Sequence, residues 1–258
     1  MQRNHFSKVF NIQEILKTSI MTSKGIFTLF AIVIMAISAG KTFAQRDLPV
    51  EERKVEHFNR ISVAVPGNVY LVQGPEYRVI AEGTDRVLEN LITEVKDGRL
   101  LIRTPSRWRF RRTDELNVYI TMPELEGITL SGSATVRVEE PLQAQKLSVI
   151  ISGSGRVYIA ELDAGELDVT VSGSGRLNIG SGQKLERSKI VISGSGRIEA
   201  ADLPVGMMEA LISGSGSCRV HVLSDLNVRI SGSGRIIYSG NPVIDARISG
   251  SGRVVNAR

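Results

Sequence analysis

The 258-residue chain has one cysteine, Cys218, three histidines and one tryptophan. A lone thiol excludes an intramolecular disulfide framework and any multi-cysteine metal site. Only His57 and His221 lie beyond Ala44, which leaves too few imidazoles for a histidine-rich zinc site. Aromatic residues are 5% of the chain, whereas glycine is common, 25 residues in all. That balance suits a β-rich chain of tight turns. An excess of positive charge is also missing from the body of the chain. The formal charge is +5. However, the first 44 residues hold five of the 32 bases (Arg3, Lys8, Lys17, Lys24 and Lys41) and one of the 27 acids, Glu14. Beyond Ala44 the balance is 27 bases to 26 acids, so global charge gives no argument for a nucleic-acid partner.

One long hydrophobic run is present, from Gly25 to Gly40, preceded by Lys24 and followed by Thr42-Phe43-Ala44. The order of basic, apolar and small-residue regions is that of a secretory signal peptide, here residues 1–44. Met21 is the better start. The run is shorter than the roughly 20 apolar residues of a spanning helix, so no transmembrane segment is expected after cleavage. The mature chain is expected to begin at Gln45 and to be exported, to the periplasm or to the cell surface. Residues 45–54 read as an N-terminal linker.

The dominant feature is Ser-Gly-Ser-Gly, which begins at Ser152, Ser172, Ser193, Ser213, Ser231 and Ser249, with a degenerate Ser-Gly-Ser-Ala at Ser131. Successive copies lie 21, 20, 21, 20, 18 and 18 residues apart. A flexible Ser/Gly linker needs no fixed neighbours. Here each copy is flanked by alternating apolar residues, such as Val149 and Ile151 before it and Val157 and Ile159 after it. Period two means strands. A repeat of 18–21 residues built from short strands predicts an all-β fold, a parallel β-solenoid whose coils stack at about 4.8 Å.

Carried through the motif, the alternation turns Gly153 and Gly155 inward and Ser152, Ser154 and Arg156 outward. The longer coils are expected to place their extra residues in loops, at Glu161 to Glu166 and Ser181 to Ser188. Cys218 falls in the column of Val157 and Leu177 and reads as core. Residues 55–130 lack the repeat but keep the alternation, as at Ile61, Val63 and Val65. They read as irregular coils ahead of the regular coils of residues 131–258, with a separate N-terminal sandwich as the alternative.

The segments Phe58-Asn59-Arg60-Ile61-Ser62-Val63, Pro66-Gly67-Asn68-Val69-Tyr70-Leu71-Val72-Gln73-Gly74 and Thr93-Glu94-Val95-Lys96-Asp97-Gly98-Arg99-Leu100-Leu101-Ile102 precede the Ser-Gly-Ser-Gly coils. In that order they resemble the putative auto-transporter adhesin family with a head GIN domain, over about residues 55–255. The resemblance implies a single-stranded right-handed β-helix, a location in the envelope or on the surface, and an adhesive role. It supplies no catalytic residues.

Chemistry is sparse. Outward columns of Ser and Arg provide neither the stacked carboxylates of polysaccharide-cleaving β-helices nor the per-turn Asp of calcium-binding repeats. No enzyme, cofactor or metal is expected. Two binding candidates stand out. The first is an outer column of Arg156, Arg176, Arg197, Arg235 and Arg253, with Thr135 and Ser217 in the other two coils. Such an array could grip an anionic glycan or another anionic cell-surface component repeatedly. The plainer reading, preferred on the sequence, is a solubilising column in which each Arg pairs with a nearby acid.

The second candidate is Arg103 to Arg112. In an extended segment, Trp108 and Phe110 would share one face, with Arg107, Arg109 and Arg111 opposite and Arg112 following. These residues could stack on sugars and pair with phosphates, or touch an anionic membrane surface; the plainer reading is an amphipathic strand or hairpin whose aromatics cover the core edge. The expected function is a secreted or periplasmic adhesion or binding module. The alternative is a structural envelope protein that self-associates through its solenoid ends, and a polysaccharide-acting enzyme comes third. The export signal argues against nucleic acid.

Overall fold

The computed structural model describes residues 48–257. The expected export signal, residues 1–44, and the first residues of the linker lie outside the described residues. Eighteen strands and one short helix follow in order: β1 (Val50–Arg53), β2 (Arg60–Val63), β3 (Asn68–Gln73), β4 (Arg78–Gly83), α1 (Asp85–Leu88), β5 (Ile92–Lys96), β6 (Arg99–Arg103), β7 (Leu116–Met122), β8 (Gly127–Gly132) and β9 (Thr135–Val138). The repeat region supplies β10 (Leu142–Gly153), β11 (Arg156–Gly173), β12 (Arg176–Gly182), β13 (Leu185–Gly194), β14 (Arg197–Gly214), β15 (Ser217–Gly232), β16 (Arg235–Ser239), β17 (Val243–Gly250) and β18 (Arg253–Asn256).

The strands stack in parallel as a β-solenoid with two long faces. On the first face the ladder runs β6, β2, β8, β10, β11, β13, β14, β15, β17. On the second it runs β7, β3, β9, β11, β12, β14, β15, β16, β18. The long strands β11, β14 and β15 serve both faces, the second with their first halves and the first with their last.

Alternation sets what is buried. Leu130, Ile151, Val171, Ile192, Ile212 and Ile230 stack in register as one inner column, each no more than 2% exposed. Burying each such side chain contributes about 1.5–3 kcal/mol, and the column repeats that gain at every coil. Among the described residues Ser188 is the one buried polar residue of the core, and its hydroxyl donates to the Leu167 carbonyl at 3.0 Å.

Residues 58–138 extend both faces, but not in sequence order. The coil β2–β3 lies between the coil β6–β7 and the coil β8–β9. After β3 the chain reverses into β4, which pairs antiparallel with both β7 and β1. It then passes through α1 and returns as the antiparallel hairpin β5–β6. Asp97 and Gly98 turn that hairpin with φ of 51° and 69°, the left-handed pair that a two-residue hairpin turn demands. The detour carries β6 to the far side of β2.

Two expectations need correction. Strict alternation fails at the corner. Ile151 and Gly155 are buried, but Gly153 is exposed with the serines on either side. The first glycine of the motif has positive φ, 118° at Gly153 and 107° at Gly173, and there the chain bends from one face to the other. A Cβ on Gly173 would stand 2.8 Å from the Gly153 carbonyl oxygen, because the corners stack backbone on backbone. Only the second glycine points inward. A Cβ on Gly155 would stand 2.5 Å from Leu130 Cδ2.

The inter-strand segments are not simple loops either. Leu162 and Ala164 are buried and pair in parallel with Leu142 and Ala144, and Leu162 also pairs with Gly182. Farther on, Leu185, Val205 and Val222 stack in the same manner. A third, narrow strip of sheet therefore closes the coil. Between β12 and β13 only Gln183 and Lys184 fall outside the strands.

Candidate functional site: the serine and arginine ladders at the corner

The corner hydrogen bonds continue the sheet through the bend. Ser174 N–H donates to the Gly153 carbonyl at 2.9 Å, and Arg176 N–H to the Gly155 carbonyl at 3.0 Å; the next three coils repeat both bonds and the last repeats the second, from Arg253 N–H to the Gly234 carbonyl. The stacking therefore holds each outward side chain above its counterpart in the preceding coil. Two rows of exposed serines result, one on each side of the stacked glycines. The first runs from Ser131 through Ser152, Ser172, Ser193, Ser213 and Ser231 to Ser249.

Beside the second row, the register places Thr135, Arg156, Arg176, Arg197, Ser217, Arg235 and Arg253 in a single column. Asn117 and Asn68 extend it at the other end, where the Asn68 amide donates to the Asn117 side-chain oxygen at 3.1 Å. The five arginines are exposed. Elsewhere three outward register pairs join opposite charges, while Arg229 stacks on Arg247. Lys146 meets Glu166 at 3.2 Å, Lys189 meets Glu209 at 3.1 Å, and Arg219 meets Glu199 at 3.7 Å. Asp168 also reaches Lys146, at 2.7 Å, and its hydrogen bond, with that of Glu166, raises the Lys146 pKa above the ordinary lysine value.

The arginine column is different. Among the described residues none of its five arginines takes part in an ion pair. The expectation that each would pair with an acid is not what the structure shows. Arg156 stacks on Arg176, Arg176 on Arg197, and Arg235 on Arg253. The one side-chain bond is from Arg197 Nε to Ser217 Oγ, at 3.3 Å. Like charges one strand spacing apart, about 4.8 Å, repel by roughly 1 kcal/mol per adjacent pair even in water.

The Arg103–Arg112 candidate lies at the end of β6 and in the connection to β7 rather than on one extended strand. Arg103 pairs with Glu94 across the hairpin at 2.7 Å. Trp108 and Phe110 do fall together, edge to face at 4.5 Å, and both pack against the core. The indole is covered from outside by the Arg86 guanidinium, 4.5 Å from the ring centroid. Arg86 also pairs with Asp114 and donates to the Arg109 carbonyl at 3.0 Å. Arg109 in turn donates to the Ser106 and Trp108 carbonyls. The loop thus spends its aromatic face and two nearby guanidiniums on itself, while Arg107, Arg111 and Arg112 remain exposed.

One outer column was missed in the sequence. Tyr119, Tyr70, Arg137 and Tyr158 stack across β7, β3, β9 and β11. The two tyrosine rings lie 5.1 Å apart and nearly parallel, and Arg137 sits 4.9 Å from the Tyr158 centroid. Tyr119 donates to Glu82 at 2.9 Å, and burial followed by Glu82 pushes its phenol pKa well above the ordinary tyrosine range. The signal was present, since each tyrosine sits between two inward apolar residues (Val69 and Leu71, Val118 and Ile120, Val157 and Ile159), but the out-of-order stacking of β2–β3 hid their adjacency. Cys218 is buried, and desolvation pushes its thiol up to about 12. Among the described residues no three His, Cys, Asp or Glu side chains converge to hold a metal ion, and no helix is long and apolar enough to cross a membrane.

Comparison with known proteins agrees with this architecture. No curated protein matches the chain. A crystal structure from Bacteroides fragilis described as a putative adhesin superimposes with a TM-score of 0.77 at 27% identity, covering 83% of this chain and 98% of its own. A putative adhesin from Parabacteroides distasonis gives 0.67 at 22% identity, covering 81% and 97%. A protein of the same species described as a putative lipid binding protein gives 0.64 at 22%, covering 83% and 98%. The last two show a shared fold. The family model for "Putative auto-transporter adhesin, head GIN domain" matches residues 57–242, from before the first coil to the connection ahead of the last one. By that match over most of its length, the chain belongs to the head GIN family of putative auto-transporter adhesins.

Proposed function

We propose that this protein is an exported, non-catalytic adhesion module that grips an anionic glycan along its arginine ladder. One observation carries the reading: at three outward positions opposite charges meet between coils, whereas the five arginines of this one column are stacked on one another and on Ser and Thr, with no acid at any register position from Thr135 to Arg253 and no ion pair. A like-charge column weakens the sheet that carries it. A polymer bearing sulfate or uronate groups would relieve that repulsion at each coil, and flanking serine hydroxyls could bond the same sugars. Repetition supplies avidity, since each further contact is made at high effective concentration. Family membership and the adhesin descriptions of its relatives support a binding role. The Arg103–Arg112 loop is the weaker candidate, because its tryptophan face is already occupied by Arg86.

The test is equilibrium binding of the exported chain to a sulfated polysaccharide and to a polyuronate, from low salt to physiological salt, where the Debye length is about 8 Å. Wild type should bind with a steep salt dependence. Arg156→Ser/Arg176→Ser/Arg197→Ser should lose most of the binding and of the salt slope, while its melting temperature holds or rises as the like-charge repulsion is relieved. Unchanged binding by the folded triple variant refutes the ladder. Binding of the sulfated but not the carboxylated polymer, or the reverse, names the anion.

A further inference from the structure

The two ends of the solenoid are finished differently. At the N-terminal end, β5 and β1 close the faces as antiparallel strands, and β1 carries Glu51, Glu52 and Arg53 on a four-residue edge. Short, charged edges of that kind resist further strand pairing. At the other end, β17 pairs with β15 on one side and β18 with β16. Among the described residues nothing pairs their outer edges. β17 runs for eight residues with no lysine, proline or bulge to blunt it.

The core columns surface there. In the register Leu226–Ile244 and Ile230–Ile248, exposure jumps from 1% and 2% to 39% and 43%.

We infer that this end is closed by a second copy of the same chain, through antiparallel pairing of β17 with its two-fold mate centred on Ala246. The sequence Ile244-Asp245-Ala246-Arg247-Ile248 is self-complementary in that register. Reading antiparallel about Ala246, Ile244 faces the mate's Ile248, and Asp245 faces the mate's Arg247. Each relation occurs twice by symmetry. Ile244, Ala246 and Ile248 share the inner face, so a two-fold axis normal to the sheet continues one core into the other. Asp245 and Arg247 are the outward residues, both exposed, and only loosely paired within their own strand at 3.9 Å. Opposite charges directly across a strand pair stabilise it, and like charges do the reverse. A two-fold contact is closed, so the assembly stops at a dimer and does not grow into a fibre.

Sedimentation velocity of the exported chain from about 1 to about 100 µM tests this. The expected result is a reversible monomer–dimer equilibrium with no larger species. Arg247→Asp and Asp245→Arg each place two like-charge pairs across the contact, and each should raise the dimer Kd about tenfold. The double swap Asp245→Arg/Arg247→Asp should restore it to within about threefold. Ala246→Cys provides a check on register. Cys218 is buried, so mild oxidation of the Ala246→Cys variant should give a dimer disulfide-linked through position 246, and adding Ile248→Lys should prevent it. Thermal melts of every variant confirm folding. A chain that stays monomeric, growth beyond the dimer, single reversals that associate like wild type, or a double swap no better than the singles would each overturn the proposal.

Discussion

The corner glycines allow backbone strain and coil-on-coil contact to be separated by experiment. Gly132 and Gly173 occupy equivalent places in their coils, with φ of 105° and 107°. A Cβ on Gly132 would meet nothing within 4 Å, whereas one on Gly173 would stand 2.8 Å from the Gly153 carbonyl oxygen. Gly132→Ala therefore incurs only the cost of an L-residue in a sparsely populated backbone region, about 1–3 kcal/mol. Gly173→Ala incurs the same strain and also an overpacking cost of about 1–3 kcal/mol. The expected order of stability is wild type, then Gly132→Ala, then Gly173→Ala, with the last about 2–6 kcal/mol below wild type. At about 2–4 °C per kcal/mol for a chain of this size, that is a fall of roughly 4–24 °C in Tm. Ser174→Thr, on the exposed side of the same corner, should stay within about 0.5 kcal/mol. Denaturant melts followed by circular dichroism, with thermal melts beside them, provide the measurement. Equal losses at Gly132 and Gly173 would mean that the corners do not stack in the solution fold. A neutral Gly173→Ala would refute the positive-φ corner itself.

Other consequences follow from buried groups and the loop. Cys218 is shielded, so thiol reagents should modify it only at the rate of unfolding, and Cys218→Ser should cost about 1–3 kcal/mol by burying a hydroxyl without a designed partner. Its folded pKa, about 12, lies above the unfolded value near 9, so the thiol's contribution is fully present below pH 9 and is lost as pH climbs toward 12. Tyr119 acts with the same sign; the alkaline fall in Tm should be shallower in Cys218→Ala and shallower again in a Cys218→Ala/Tyr119→Phe variant. Trp108→Ala removes the Phe110 contact and the Arg86 cation–π pair and should lower stability by about 1–3 kcal/mol, while leaving polyanion binding unchanged at equal folded fraction.

The stacked coils were legible because two periodicities agreed. Alternating Val and Ile marked strands, and the recurrence of Ser-Gly-Ser-Gly marked coils, so the arginine column followed from the spacing of the residues alone. What stayed hidden depended on contacts between coils. Gly153 and Gly155 look alike in a strict alternation; only the bend, with the carbonyl of the preceding coil beside it, separates a corner glycine from an inward one. Glu161 to Glu166 looked like loop because Glu and Asp interrupt the apolar pattern, yet Leu162 and Ala164 keep its inner face. The placement of β6–β7 beyond β2–β3 follows from the Asp97-Gly98 hairpin reversal, which a linear reading recognises as a turn without showing where the next coil lands. For the arginines, residue type and register were legible. Their lack of ion pairs was not, because it depends on where Glu166, Asp168, Glu209 and Glu199 find their own partners, Lys146, Lys189 and Arg219.

The most direct test of the ladder is side-chain NMR of the arginine Nε–H groups during titration with a sulfated polysaccharide. The account predicts that Arg156, Arg176 and Arg197 shift together and saturate at one polymer concentration, while Arg107, Arg111 and Arg112 hold their positions. Shifts confined to Arg107, Arg111 and Arg112, or no arginine shifts under conditions where the polymer demonstrably binds, would contradict it.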